Sequence, residues 1–127
     1  MFATILVFVG GGIGAVARHG VNLLAPRLFG MYFPWATIIE NILGSFLIGL
    51  LAAFFAFKAD ATWSQHTRLF LTTGVLGGFT TFSAFSLDFA LLYERGELLQ
   101  AILYATSSVG ISLAAIFLGL FIVRAIV

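Results

Sequence analysis

No cysteine occurs in the 127 residues, so the chain can form no disulfide, no thiolate metal site and no cysteine nucleophile. Charge is nearly as scarce. Six Lys and Arg with five Asp and Glu make up 9% of the sequence, whereas soluble domains carry about 25%. So few charges cannot cover a soluble surface. That excludes a soluble enzyme, a disordered segment and a nucleic-acid binder. The net charge of +1 points to no partner of either sign. Met1-Phe2-Ala3-Thr4 has no basic residue, so the first apolar run is expected to be retained rather than removed as a signal peptide. What is present is apolar: 61% hydrophobic residues, with 15 Phe and 14 Gly, at a mean hydropathy of +1.14. The class is a small all-α integral membrane protein.

A spanning helix needs roughly 20 mostly apolar residues. Four stretches meet that need: Phe2 to about Leu24, Trp35–Phe57, about Leu69–Tyr93, and Leu98–Val123. Both prolines, Pro26 and Pro34, fall between the first two, and Pro34-Trp35 suits a helix start at the interface. The remaining connections are Lys58–Arg68 and Glu94-Arg95-Gly96-Glu97. No linker is long enough for a second domain, so residues 1–127 are expected to form one membrane domain. Four spans put Lys58, Arg68 and Arg124 on one side and Arg18, Arg27 and Arg95 on the other. This even split gives the positive-inside rule no purchase. Either one residue, such as Arg18, is partly buried and does not count, or the chain inserts both ways and pairs with its inverted copy. Four helices hardly enclose a polar pathway, whereas an antiparallel pair supplies eight.

Polar groups in hydrocarbon are costly and face a partner or a pathway. The third span is densest in them: Thr72 to Ser86 holds nine Gly, Ser or Thr in fifteen positions. Adjacent Gly77 and Gly78 are poor helix interior, so the third helix is expected to be broken near Gly77–Thr80. Freed carbonyls there suit a cation, and the N-terminus of the following half-helix suits an anion. Close packing between helices by small residues explains the same composition. Phe82 and Phe85 share one helical face. They are either packing groups or ring edges turned to a pathway, where the positive edge of the quadrupole attracts an anion without trapping it. Thr37 and Asn41 share a face of the second span, and Asn41 offers donors to an ion or to a neighbouring helix. Tyr104, Ser108 and Ser112 form a hydroxyl stripe at i, i+4 spacing in the fourth. Arg18 is a snorkelling anchor or a source of attractive potential at a pore mouth.

Gly10-Gly11-Gly12-Ile13-Gly14-Ala15 matches a dinucleotide-site string, but no βαβ context follows it. Gly10 and Gly14 instead make a GxxxG pair that permits close helix approach. No Ser-His-Asp arrangement, metal-ligand cluster or carboxylate pair stands out, and no enzymatic activity is expected.

The segment Gly77-Gly78-Phe79-Thr80-Thr81-Phe82-Ser83-Ala84-Phe85-Ser86 resembles the GGxTTFSTFS signature of the Fluc-type fluoride channels, or CrcB proteins. Gly10–Gly14 with Arg18, Pro34–Gly49 with Asn41 and Gly44-Ser45-Phe46, and the Tyr104/Ser108/Ser112 stripe are similar to that family's other spans. Asp88 stands where the family usually has an acidic residue. The resemblance implies a dual-topology homodimer with two fluoride pores in the bacterial inner (plasma) membrane. It implies fluoride-binding pore residues Asn41, Thr81, Phe82 and Phe85, with Tyr104, Ser108 and Ser112 along a polar track and Arg18 at a vestibule. It also implies a structural Na+ on the dimer axis, held by the backbone carbonyls of Gly77 and Thr80. Two positions depart from the pattern. Ala84 replaces the usual Thr, and Glu40 stands where an apolar residue is usual. A carboxylate at Glu40 repels anions, faces a partner subunit or stays protonated.

The rival is a small multidrug-resistance-like, proton-coupled exporter using Glu40. Such proteins rely on a carboxylate in the first helix, and here no Asp or Glu precedes Glu40. A non-transporting membrane subunit is the third possibility. Anion efflux from liposomes separates all three.

Overall fold

The computed structural model describes residues 1–58 and 60–126. All regular structure in them is helical: α1 (Phe2–Phe29), α2 (Trp35–Phe57), α3 (Ser64–Arg68), a π-helical segment Leu69–Leu76, α4 (Gly77–Phe79), α5 (Phe82–Glu94) and α6 (Leu98–Ile126). Four stretches are long and apolar enough to cross a membrane: Phe2–Phe29, Trp35–Phe57, Ser64–Glu94 and Leu98–Ile126. In such a setting every backbone group needs an internal partner, which helices provide.

α1 is longer than expected. It passes through Pro26 and ends at Gly30, whose φ of 86° is a conformation suited to glycine and whose N–H bonds to the Pro26 carbonyl. Proline removes one helical donor near the end of the helix, and the Gly30 N–H bond to the Pro26 carbonyl closes the last turn beyond it. α5 and α6 are joined by a turn at Gly96, with φ 79°. The third span starts at Ser64, inside the stretch assigned to a polar connection, and α6 runs to Ile126. The segment Leu69–Leu76 bonds as a π-helix, which the sequence did not announce.

Gly77 and Gly78, expected at an interruption of the third span, are helical. The extended residues are Thr80 (φ −92°, ψ 155°) and Thr81 (φ −157°, ψ 134°). The reason is packing. A side chain on Gly78 would strike the Gly11 carbonyl of α1, so this glycine serves close approach rather than unwinding.

α1 lies against the third span and α2 against α6. The first seam uses Gly10 and Gly14: a Cβ on Gly10 would lie 2.7 Å from the Phe70 carbonyl oxygen, and one on Gly14 would collide with the Val75 carbonyl. The second seam uses Gly49 and Gly119, which meet the backbones of Ile116 and Phe46. Between α2, α5 and α6, Ile38, Leu92, Ala101 and Tyr104 form a buried cluster, with Phe33, Ile42, Phe85 and Phe89 around it.

Candidate functional site

A cleft of about 330 Å³ opens where the Thr80–Thr81 segment meets α2 and α6. Asn41 and Ser45 line it from α2, one helical turn apart. Thr81, Phe82 and Phe85 line it from the third span, and Ser108 and Ser112 from α6. With Thr80, seven of the residues singled out in the sequence are thus brought to one cleft. Tyr104 is not among its lining residues.

Asn41 and Thr81 hold each other. The Thr81 N–H donates to Asn41 Oδ1 at 3.3 Å, and Asn41 Nδ2 donates to the Thr81 carbonyl at 3.5 Å. One amide N–H of Asn41 is therefore committed to the backbone, and the other is free for the cleft. Thr81 caps α5: its Oγ1 accepts from the Ala84 N–H at 3.4 Å and shares a 3.0 Å hydrogen bond with Ser83 Oγ. The α5 N-terminus, with its unpaired N–H groups and dipole, therefore opens on the cleft. The same two bonds matter on the acceptor side. The Thr81 N–H would otherwise close a helical turn on the Gly77 carbonyl, and the Ala84 N–H on the Thr80 carbonyl. Both carbonyls lose their helical donors and remain able to accept from another group.

Phe82 and Phe85 have ring centroids 5.5 Å apart at 44°. They differ in surroundings. Phe82 is 77% exposed, while Phe85 is half-buried and its centroid lies 5.2 Å from that of Tyr104. On α6, Ser108 Oγ and Ser112 Oγ are buried without a hydrogen-bond partner among the described residues, which leaves two hydroxyls free toward the cleft. Tyr104 is fully buried, and its hydroxyl donates to Asp88 Oδ2 at 3.0 Å. The hydroxyl stripe therefore divides into two serines on the cleft and a tyrosine behind Phe85.

Thr37 Oγ1 donates to the same Asp88 oxygen at 2.6 Å. Thr37 shares a face of α2 with Asn41, and its hydroxyl finds a partner 51 residues away. Asp88 also lines a second cleft of about 230 Å³ with Tyr32 and Arg95. At its surface Arg95 bonds the Tyr32 carbonyl and Glu97, both at 3.1 Å. The Glu97 carboxylate beside Tyr32 raises the pKa of that phenol above its ordinary value, chiefly by hydrogen bonding to it, with Arg95 opposing.

Arg18 lies well inside α1, because that helix runs eleven residues past it to Phe29. It is half-buried rather than an anchor at a helix end, and its Nε is buried without a partner among the described residues. Glu40 is 1% exposed, with Oε2 also unpartnered. Among the described residues no group of three or more His, Cys, Asp or Glu could hold a metal ion.

The family profile described as CrcB-like protein, Camphor Resistance (CrcB), matches residues 5–120. A Rhodopseudomonas palustris protein called fluoride-specific ion channel FluC is 54% identical over 122 residues, covering 96% of this chain and 97% of the relative. A Nitrobacter hamburgensis protein called fluoride-specific ion channel FluC 2 is 55% identical, covering 94% and 95%. A Granulibacter bethesdensis protein called fluoride-specific ion channel FluC is 54% identical, covering 100% and 98%.

Proposed function

Because this chain belongs to the CrcB-like family, we propose that it is a passive, fluoride-selective channel that lets the anion leave a bacterial cell across its plasma membrane. The observation that carries this reading is the convergence of Asn41, Thr81, Phe82, Phe85, Ser108 and Ser112 on one cleft. Fluoride is a small, strongly hydrated ion. A pore must replace its water shell with several weak donors, close enough to exclude chloride and weak enough to release. The Ser108 and Ser112 hydroxyls, the free N–H of Asn41, the α5 N-terminus and the edges of Phe82 and Phe85 are such donors. None of them carries a fixed charge that would trap the ion. Tyr104, bonded to Asp88 behind Phe85, supports that ring from outside the cleft, and Arg18 supplies attractive potential at a vestibule. Neutral HF enters a cell from acid surroundings and dissociates inside, so a passive pore suffices to return the anion outward.

The functional unit in this reading is an antiparallel, dual-topology homodimer with two pores. Four spans hardly enclose a polar pathway whereas an antiparallel pair supplies eight, and that need supports it. The Gly77 and Thr80 carbonyls fit a structural Na+ on the dimer axis. Gly77 is exposed in the single subunit, as a group facing a second copy would be. The ion when bound supplies charge that anchors these carbonyls and has no chemical step to perform.

Liposomes carrying the purified protein are the test. They should lose fluoride while retaining chloride, without an imposed proton gradient. Equal chloride efflux would sink the reading, and efflux that needs a proton gradient would favour a coupled exporter.

A further inference from the structure

A carboxyl group lies inside this bundle, and one of its oxygens accepts no hydrogen bond from the described residues. Glu40 is 1% exposed, and its Oε2 has no hydrogen-bond partner among the described residues. Arg18 Nε is buried and unpartnered in the same way. The two side chains stand on helices that pack together and are joined by the short connector 30–34. Arg18 lies eleven residues before the end of α1, roughly 16 Å from that connector. Glu40 lies five residues past Trp35, roughly 8 Å from it. The two positions therefore differ in depth by roughly 8 Å, a separation across which charges still interact in a low-dielectric interior.

The charged groups whose fields reach Glu40 are Arg18 from α1 and Asp88 from α5, and on α6 the Tyr104 phenol feels Glu40 in turn. Asp88 already accepts from Thr37 and Tyr104. Arg18 Nε has no such partner. A single ion buried in a low-dielectric interior is heavily penalised, and opposite charges offset one another there. We infer that Glu40 and Arg18 form an intramembrane charge couple, in which Glu40 is a positioning residue that sets the anion-attracting field of Arg18. This rests on the channel reading above. With Glu40 ionised, Arg18 presents little net positive charge to an approaching anion. With Glu40 neutral, the field of Arg18 acts in full.

The test uses the full chain as Glu40→Gln, Arg18→Gln and the double variant. Each single change leaves one buried charge alone, so both singles should melt earlier than the parent, and the double should recover most of the loss. A single variant too unstable to purify should likewise be rescued in the double. In liposomes at low fluoride, Glu40→Gln should raise efflux roughly three- to tenfold. The gain should fade as fluoride saturates the pore and vanish in an Arg18→Gln background. A purely structural role for Glu40 would not produce that concentration dependence. Additive melting shifts, or a Glu40→Gln effect of equal size in both Arg18 backgrounds, would overturn the couple, as would a Glu40→Gln variant indistinguishable from the parent. A parent that passes no fluoride would overturn the channel reading and the role in conduction together. The melting cycle judges the couple independently of transport.

Discussion

Asn41 and Thr81 exchange two hydrogen bonds across the cleft, side-chain amide to backbone, at 3.3 and 3.5 Å. The pair fixes the extended segment that starts α5. Asn41→Asp keeps an acceptor for the Thr81 N–H but sets a negative oxygen against the Thr81 carbonyl and into the cleft. It should reduce fluoride efflux by about a hundredfold or more, since a few kcal/mol of added barrier corresponds to that factor. Efflux from liposomes measures it. A variant that conducts like the parent would remove Asn41 from the pathway.

Phe82→Ile and Phe85→Ile retain bulk and remove the electropositive ring edge. Both should strongly reduce fluoride efflux. They should differ in stability. Phe82 is exposed in the subunit, whereas Phe85 packs on Tyr104, so Phe85→Ile should cost about 1 kcal/mol more in folding. Phe117, 67% exposed, is the control and should tolerate the change on both counts. Size-exclusion profiles of the purified variants distinguish loss of conduction from loss of assembly. Normal flux in both variants would contradict a role for the rings.

Tyr104→Phe removes one of two hydroxyl donors from the part-buried Asp88 oxygen and should destabilise the fold by about 1–3 kcal/mol. Tyr104→Phe combined with Asp88→Asn should cost less than the two changes added together, because they remove one interaction. A thermal-melting cycle in detergent reads this coupling. Strict additivity would mean that the 3.0 Å contact contributes nothing.

Helix packing makes a sharper contrast. Gly12 and Gly14 are both interior to α1, yet a Cβ on Gly12 meets nothing within 4 Å while one on Gly14 collides with the Val75 carbonyl. Gly12→Ala should be neutral or slightly stabilising, as alanine favours helix by about 1 kcal/mol. Gly14→Ala should lower the melting temperature or prevent recovery of folded protein, because the collision is with backbone. Equal behaviour of the two variants would argue against this seam.

Dual topology predicts that tags on either terminus are accessible from both sides of the membrane in cells. A uniform orientation would count against the antiparallel dimer. Exchange of Na+ for a much larger monovalent cation should reduce fluoride efflux before it alters the preference over chloride. Unchanged efflux in the complete absence of Na+ would remove the ion from the structure.

Composition alone determined the environment and the number of spans, because hydrocarbon demands long apolar helices and scarce charge forbids any other surface. Local periodicity also put Ser108 with Ser112 and Phe82 with Phe85, since neighbours at i, i+3 or i, i+4 on a helix must share a face. Helix ends were less legible: Pro26 reads as a stop, yet α1 continues to Phe29, where the Gly30 N–H closes a last turn on the Pro26 carbonyl. The tertiary structure decided everything that needed residues distant in sequence. It gave Thr37 to Asp88, turned Tyr104 away from the cleft, and moved the non-helical pair to Thr80–Thr81, since Gly78 was needed against Gly11. It also buried Glu40 Oε2 and Arg18 Nε without hydrogen-bond partners among the described residues. A sequence specifies which face a side chain takes, but which neighbour meets that face depends on how whole helices pack.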